Sequence, residues 1–203
     1  MTLKASGETN DHILTNVSIQ TRVSSGTGSA FAAVKNDGSV VTWGHPDEGG
    51  DSSKVREQIA TNVKFICNTD EAFAAVKING CVVTWGRENC GGDSSSVRHQ
   101  LTQDVTQIFV TIGAMAALTN DGSVVTWGYP AFGGSCSSRE QIAGGVKMIY
   151  SAQRAFAALK TDGSVITWGS GSSGGDCSKV QAQLGVDLSL IHISEPTRPL
   201  YIS

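Results

Sequence analysis

Apolar positions along the chain recur in a block of nearly constant length. A short apolar run of the type A-F-A-A-V is followed by an Asp-Gly or Asn-Gly pair and then by V-V-T-W-G or V-I-T-W-G. The apolar run alone fits a strand or a helix. The Asp-Gly pair favours strands, because Asp or Asn followed by Gly supplies the positive φ angles of tight antiparallel turns. The block therefore predicts a β-hairpin, repeated four times with its tryptophans 42, 42 and 41 residues apart at Trp43, Trp85, Trp127 and Trp168.

Two further segments complete the block. Apolar stretches at 63–67, 105–109 and 146–150 precede three of the hairpins and predict a third strand. A Gly pair follows each hairpin, and after it apolar residues four apart, such as Val55 and Ile59, mark one face of a short helical turn. The V-V-T-W strand is apolar at nearly every position, which predicts that both of its faces are covered. The Ala-rich strand fits the crowded centre of a ring of sheets.

A unit of this size cannot bury both faces alone and needs neighbouring units. The sequence therefore predicts an all-β fold, a partial β-propeller of about four blades of ~42 residues, most with three antiparallel strands and a short helical turn. An open solenoid is the alternative. The four tryptophans are predicted to pack blade against blade. The predicted boundaries are an N-terminal segment 1–16 and repeats 17–62, 63–104, 105–145 and 146–187, with turn glycines at Gly38, Gly80, Gly122 and Gly163.

The hairpin pattern D-G-[SC]-V-[VI]-T-W-G resembles the regulator of chromosome condensation family of seven-bladed propellers and, equally, the bacterial β-lactamase-inhibitor propellers. The resemblance covers residues 17–187 and implies a propeller fold, while it implies little about function. The family places G-Q-L-G after W-G, where this chain has G-G-D-S-S, and the wedge insertion of the nucleotide-exchange members has no counterpart here. Exchange-factor activity is therefore not expected. In the fourth repeat the family pattern is filled by Ala157, Leu159, Asp162, Gly163, Val165, Trp168 and Gly169.

The last segment of the chain departs from the repeats. Residues 188–199 read L-S-L-I-H-I-S-E-P-T-R-P, which resembles the translation of a transposase sequencing adapter. We expect 188–203 to be adapter-derived and native repeats to continue beyond Asp187, with a short native tail as the alternative. An unclosed propeller exposes two blade faces and a strand edge, so we also expect the chain to self-associate.

Composition and charge narrow the functional classes. The net charge is −3 and Lys and Arg form no cluster, so neither nucleic acid nor an anionic membrane is an expected partner. No apolar segment approaches the ~20 residues of a membrane span. The five cysteines form no C-x-x-C pair, which favours free thiols in the cytoplasm or nucleus. Secretion remains the alternative location.

Candidate catalytic and metal-binding residues have simpler structural interpretations. The Asp of each Asp-Gly pair is predicted to be a turn residue, because Asn79 replaces it in the second repeat. Asp51, Asp93 and Asp176 follow the Gly pairs and are predicted to cap the helical turns rather than bind Ca²⁺. No Ser/His/Asp pattern, phosphate-binding loop or dinucleotide motif occurs. The sequence predicts no enzyme activity, no cofactor and no metal.

Four loops carry the strongest functional signal. Between W-G and the Gly pair the repeats read HPDE (45–48), RENC (87–90), YPAF (129–132) and SGSS (170–173). Variable loops on a repeated frame are typical of partner-binding surfaces, although loops without any constraint also vary. The predicted function is a non-catalytic protein-interaction scaffold that is part of a larger protein, with a secreted or surface inhibitor or adhesin, and then an enzyme at the propeller centre, as alternatives. The candidate partner-binding residues in these loops are His45, Asp47, Arg87, Glu88, Tyr129 and Phe132, and those of a second variable set before the Ala-rich strand are Asp70, Glu71, Tyr150 and Arg154.

Overall fold

The chain is an all-β partial propeller of four blades. A computed structural model describes residues 17–18 and 28–184, so the predicted N-terminal segment 1–16 and the adapter-like tail 188–203 lie outside the described residues. Each blade is a three-stranded antiparallel sheet in which the strands pair in chain order. Blade 1 contains β1 (Val17–Ser18), β2 (Ala30–Lys35) and β3 (Val40–Gly44), and blade 2 contains β4 (Val63–Asn68), β5 (Ala72–Lys77) and β6 (Val82–Gly86). Blade 3 contains β7 (Val105–Val110), β8 (Ala114–Thr119) and β9 (Val124–Gly128), and blade 4 contains β10 (Val146–Ser151), β11 (Ala155–Lys160) and β12 (Val165–Gly169).

Short 3₁₀ turns connect the blades, as the helical pattern after each Gly pair predicts. In three of the turns that follow a Gly pair, an aspartate just before the turn accepts a hydrogen bond from its first residue, as Asp51 Oδ1 does from the Ser53 N–H at 2.8 Å. Asp93 and Asp176 accept the equivalent hydrogen bonds. The turns after the Gly pairs are Ser53–Val55, Ser95–Gln100, Arg139–Ile142 and Ser178–Val180, the last running into the helix α1 (Gln181–Leu184), and those before the Gly pairs are Pro46–Glu48, Glu88–Cys90, Pro130–Phe132 and Gly171–Ser173.

The hairpin turns differ from the prediction at one residue. Gly38 has φ +76°, but Asp37 does not have a positive φ, so the predicted positive φ at the Asp or Asn position is wrong. The Gly38 N–H donates to the Lys35 carbonyl at 2.9 Å. The loop is thus a three-residue connection in which only the Gly is left-handed. The side-chain Oδ1 of Asp37 accepts the Ser39 N–H at 2.9 Å, and Asn79 accepts the Cys81 N–H at 3.1 Å.

The aspartates of these turns, which we call the turn aspartates, have lowered pKa values. The side-chain hydroxyl and the backbone N–H of Ser39 lower the pKa of Asp37 below its ordinary value of 3.8. The pKa values of the other two are lowered for the same reason, with hydroxyl donors on neighbouring residues. Asn79 makes the equivalent backbone contact without a charge. The three turn aspartates are Asp37, Asp121 and Asp162.

The hydrophobic core lies between blades and not within them. One cluster joins Val34 of blade 1 to Phe73 and Trp85 of blade 2. Two further clusters join blade 2 to blade 3 and blade 3 to blade 4 in the same way. Burial of this kind requires a neighbour on each face, which is why a single block cannot fold alone.

The Ala-rich strand is the middle strand of each blade. The interpretation that placed it at the propeller centre is wrong, because the first strand of the blade pairs with one of its edges and the third strand with the other. Its alanines, such as Ala74 and Ala116, are fully buried. Small side chains allow adjacent blades to approach on both faces of this strand.

Candidate partner-binding surface

Two sets of loops meet at one edge of the sheets, which we call the loop edge. The outer loops follow the third strands at 45–48, 87–90, 129–132 and 170–173, and the inner loops lead into the middle strands at 69–71, 111–113 and 152–154. One hydrogen bond ties the outer loop to the start of the middle strand in every blade. Its N–H donors and carbonyl acceptors are His45 and Ser29 (2.8 Å), Arg87 and Glu71 (2.9 Å), Tyr129 and Gly113 (2.8 Å), and Ser170 and Arg154 (2.9 Å).

The backbone of the outer loops is the same in all four blades although their side chains differ. Each loop begins at an extended residue, makes one 3₁₀ turn and ends at a left-handed Gly, as Gly91 does at φ 105°. The Gly91 N–H donates to the Glu88 carbonyl at 3.3 Å. The frame therefore presents unlike side chains at equivalent positions on the loop edge.

Blades 1 and 2 bring charged groups together at the loop edge. Arg87 Nε donates to Glu71 Oε2 at 2.7 Å, and Arg87 Nη2 lies 3.9 Å from Glu48 Oε1 on the neighbouring blade. The Glu48 Oε2 atom is buried and has no hydrogen-bond partner among the described residues. Because the Arg87 side chain is 46% exposed, these ion pairs contribute little to stability. Their effect is to hold the guanidinium across the boundary between the two blades.

A thiol completes this charged group. The Cys90 thiol donates a hydrogen bond to Glu71 Oε2, with the two atoms 3.1 Å apart. Partial burial, followed by the hydrogen bond and the negative charge of Glu71, raises the pKa of Cys90 to about 12. The neutral thiol is therefore the stable form at physiological pH, which argues against a nucleophilic role for this cysteine.

Blades 3 and 4 form an aromatic group at the same edge. The Tyr129 and Phe132 rings lie 4.7 Å apart at 45°, and the Arg154 guanidinium lies over the Phe132 ring at 5.1 Å from its centroid. Tyr129 is 40% exposed. The Arg154 contact joins an inner loop of blade 4 to an outer loop of blade 3, so it crosses a blade boundary as the Arg87 contact does.

Two buried threonines hold the inner and outer loops together. Thr69 Oγ1 donates to the Cys90 carbonyl at 2.9 Å, and Thr111 Oγ1 donates to the Phe132 carbonyl at 3.0 Å. Each hydroxyl also accepts the N–H of the first residue of its middle strand. Sequence reasoning missed both residues, although they stand at the same position of successive repeats.

The remaining predicted site residues are less closely grouped. His45, Asp47 and Glu88 are exposed on the outer loops, without a side-chain hydrogen bond or ion pair among the described residues. Asp70 lines a cavity of about 240 Å³ between the inner loops of blades 2 to 4, beside Ile112 and Gln153.

Tyr150 does not lie on the inner loop. It is part of β10, where it pairs with Ala157 and is partly buried. It is the last residue but one of this strand, so it lies next to the inner loop at 152–154.

Among known proteins, only solved structures match this chain. No protein-family model matches the chain, and no curated protein matches it. Solved structures do match, among them Prp20p from Saccharomyces cerevisiae, described together with its binding properties to Gsp1p and histones, with 22% identity over 70% of this chain and a TM-score of 0.48. Human WBSCR16 matches with 19% identity over 77% of this chain and a TM-score of 0.42.

The chain is similar to RCC1-type propellers. Yeast RCC1 (Prp20) is among the matching structures, with 21% identity over 70% of this chain and a TM-score of 0.48. The predicted propeller architecture is confirmed by the four repeated three-stranded sheets themselves. The chain spans 42% of the Prp20p chain and 47% of the WBSCR16 chain, which is less than half of each.

Metal ligands and membrane-spanning helices can be assessed for residues 17–18 and 28–184. No group of three or more His, Cys, Asp or Glu side chains there is arranged to hold a metal ion. No helix in that part of the chain is long and apolar enough to cross a membrane.

Proposed function

We propose that this chain is a non-catalytic protein-binding module whose partner docks on the loop edge. The observation that carries the proposal is the backbone frame that repeats in all four blades and, apart from the prolines at 46 and 130, holds a different residue at each equivalent loop position. Repeat scaffolds bind partners with residues of this kind, because the frame does not change when the side chains do.

The two halves of the loop edge favour different groups on the partner. On blades 1 and 2 the carboxylates of Asp47 and Glu88 are exposed, while Arg87 is already paired with carboxylates. This half favours basic groups, which would accelerate association. On blade 3 the exposed Tyr129 ring offers an aromatic anchor of the type that dominates binding energy. We therefore expect a partner with a basic segment beside an apolar side chain.

We place this interaction in the cytoplasm or nucleus. The five cysteines are free thiols, one of them buried and the others partly exposed. Free thiols of this kind fit a reducing compartment better than an oxidising one.

A comparison of loop-edge variants with a control tests the proposal. The immobilised chain is used to capture candidate partners, each is identified and purified, and its dissociation constant is measured by surface plasmon resonance. We expect Tyr129→Ala to weaken binding by at least about tenfold, as loss of an aromatic anchor does. Asp47→Lys with Glu88→Lys should slow association and remove its dependence on salt.

The matched control is Ile78→Ala. Ile78 is a large apolar residue, 71% exposed, in the turn between β5 and β6 at the opposite edge. The control should bind like the parent protein. A partner whose affinity is unchanged by Tyr129→Ala combined with Arg87→Ala, or is reduced equally by Ile78→Ala, would show that the loop edge is not the binding surface.

A further inference from the structure

The inner loops of three consecutive blades enclose a cavity on the loop edge. Two backbone hydrogen bonds hold these loops together: the Asp70 N–H donates to the Ile112 carbonyl at 3.2 Å, and the Ile112 N–H donates to the Gln153 carbonyl at 3.0 Å. The cavity of about 240 Å³, which we call the inner-loop pocket, has walls from Asn68, Asp70 and the stretches 110–112 and 151–153. Because the loops are tied to one another, a ligand that enters the pocket has little ordering cost to overcome.

The inner-loop pocket offers one negative charge and several hydrogen-bond acceptors. Among the described residues that line it, Asp70 is the only ionisable one and none is cationic. Asn68 donates from Nδ2 to the Thr69 carbonyl at 2.9 Å, which leaves its Oδ1 as an acceptor. Ser151 and Gln153 carry further acceptor oxygens on their side chains. A ligand with a positive charge and several donors therefore suits this pocket better than an anion or a hydrocarbon.

Apolar walls favour a long cationic side chain over a small cation. Val110, which is buried, and Ile112, which is partly buried, line the same pocket. The stem of an Arg or Lys side chain packs on apolar groups of this kind while its charged head reaches polar atoms. Arg suits the acceptors better than Lys, because its planar guanidinium carries five donors and pairs with a carboxylate through two parallel hydrogen bonds.

The pocket adjoins both groups of side chains on the loop edge. Gly113, at the end of the inner loop of blade 3, faces the aromatic group, since a Cβ placed there would lie 3.2 Å from Phe132 Cδ2. Glu71, which belongs to the charged group of blades 1 and 2, directly follows Asp70. The pocket thus has a central position on the proposed binding surface, where the residues that dominate binding energy usually cluster.

We propose that the inner-loop pocket binds an arginine side chain of the partner protein, with the guanidinium on the Asp70 carboxylate and the stem against Ile112. This inference rests on the proposed function, because it concerns a partner that docks on the loop edge. It adds the identity of the side chain that enters the surface and the residues that receive it.

Titration of the isotope-labelled full chain with blocked tripeptides, followed by NMR spectroscopy, tests the pocket without the partner. The probes are Ac-Gly-Arg-Gly-NH₂, the same peptide with Lys, and the same peptide with citrulline, which has the shape of Arg without its charge. We expect the Arg peptide to shift the side-chain amide signals of Asn68 and Gln153 and the backbone signal of Ile112. It should bind at least about threefold more tightly than the Lys peptide and about tenfold more tightly than the citrulline peptide.

Two variants and a control locate the contact. Asp70→Asn keeps the shape of the side chain without its charge and should weaken binding of the Arg peptide by about tenfold. Ala152→Phe places a ring at an exposed position of the pocket wall and should weaken binding of all three peptides. Asp47→Asn is the matched control, since it removes an exposed carboxylate of the loop edge outside the pocket. At physiological ionic strength this control should bind the Arg peptide like the parent.

Three results would overturn the proposal: no shift with the Arg peptide at millimolar concentration, equal weakening by Asp70→Asn and Asp47→Asn, or a Lys peptide that binds as tightly as the Arg peptide. None of them would touch the proposed function, because the test of that function measures a purified partner against Tyr129→Ala. A partner that ignores Tyr129→Ala would in turn leave the shifts at Ile112 as they are. The two failures can therefore be told apart.

Discussion

Replacement of Gly133 by Ala tests how the blades hold each other. The Gly ends the outer loop of blade 3 at φ +101° and lies beneath Phe156 of blade 4. A Cβ there would lie 2.5 Å from Phe156 Cδ2 and 2.7 Å from Cε2. Two costs follow: about 1–2 kcal/mol for a left-handed non-Gly residue, and about 1–3 kcal/mol for forcing a rigid ring away. We expect the free energy of unfolding to fall by about 2–5 kcal/mol.

Gly91→Ala is the matched control. Gly91 occupies the same position one blade earlier, at φ +105°, but it faces Met115, whose Cε would lie 3.1 Å from the new Cβ. A thioether side chain can move aside where a ring cannot. Gly91→Ala should therefore cost only the backbone term of about 1–2 kcal/mol. The difference between the two variants isolates the steric contact between blades.

Equilibrium urea unfolding at low protein concentration, followed by tryptophan fluorescence, gives both free energies. One of the four tryptophans that give the signal lies at the altered contact, because Trp168 Nε1 lies 3.1 Å from the Gly133 carbonyl oxygen. Phe156→Met should rescue part of the loss in the Gly133→Ala background, with a coupling energy of about 0.5–3 kcal/mol. Equal costs for the two alanines, or no rescue by Met, would refute the steric explanation.

Three more outcomes are expected. Trp127→Phe keeps an aromatic ring but leaves the Gly91 carbonyl without its donor, and should lower the free energy of unfolding by about 1–3 kcal/mol in the same urea experiment. The pKa values of the three turn aspartates are lowered in the folded state, so their stabilisation is present above the ordinary value of 3.8 and is lost as the pH falls through the lower folded values. When all three are replaced by Asn, the melting temperature should therefore decrease less on acidification than it does in the parent. Alkylation of Cys90 by iodoacetamide at pH 8 should be slow in the parent and faster in Glu71→Gln, with mass spectrometry of the labelled peptide as the readout, because the carboxylate raises the thiol pKa.

Strand positions could be predicted because their signal is local. The stretch at 63–67 becomes β4 (Val63–Asn68), one residue longer than predicted. The turn between the later strands could be located but not described, since D-G fits both a two-residue turn with two positive φ angles and a longer turn with one. The structure has the longer turn, because only Gly38 has a positive φ. The Asp37 side chain accepts the Ser39 N–H within this turn.

The order of strands within a blade could not be predicted from small side chains. Alanines at 72, 74 and 75 indicate close approach on both faces of a strand, but they do not indicate what approaches. Both the middle strand of a blade, with other blades against its two faces, and the innermost strand at the propeller axis are approached closely on both faces. The pairing of Ala74 with both Cys67 and Thr84 identifies the middle position.

Candidate residues on the loop edge could be found from the sequence, but their contacts could not. Arg87 and Phe132 stand out as interface types in variable loops. Their partners Glu48 and Arg154 belong to other blades, so the contacts depend on how far one blade is rotated against the next. No local pattern encodes that rotation. Cys90 could not be linked to Glu71 for a similar reason, since 19 residues separate them along the chain.

Within one outer loop, the Gly at its end is constrained by the contact with the next blade, whereas the residues before that Gly are not. The Gly91 carbonyl must stay within hydrogen-bond distance of Trp127 Nε1, or the contact between blades 2 and 3 is lost. That requirement fixes the loop backbone but not the identity of the exposed side chains before it, at Arg87 and Glu88. Because Glu88 is exposed and its side chain makes no hydrogen bond or ion pair with the neighbouring blade among the described residues, we expect a substitution there to have little effect on how the blades stack. A change at Gly91 acts in the reverse way, because its backbone supports the neighbouring blade and its atoms are buried.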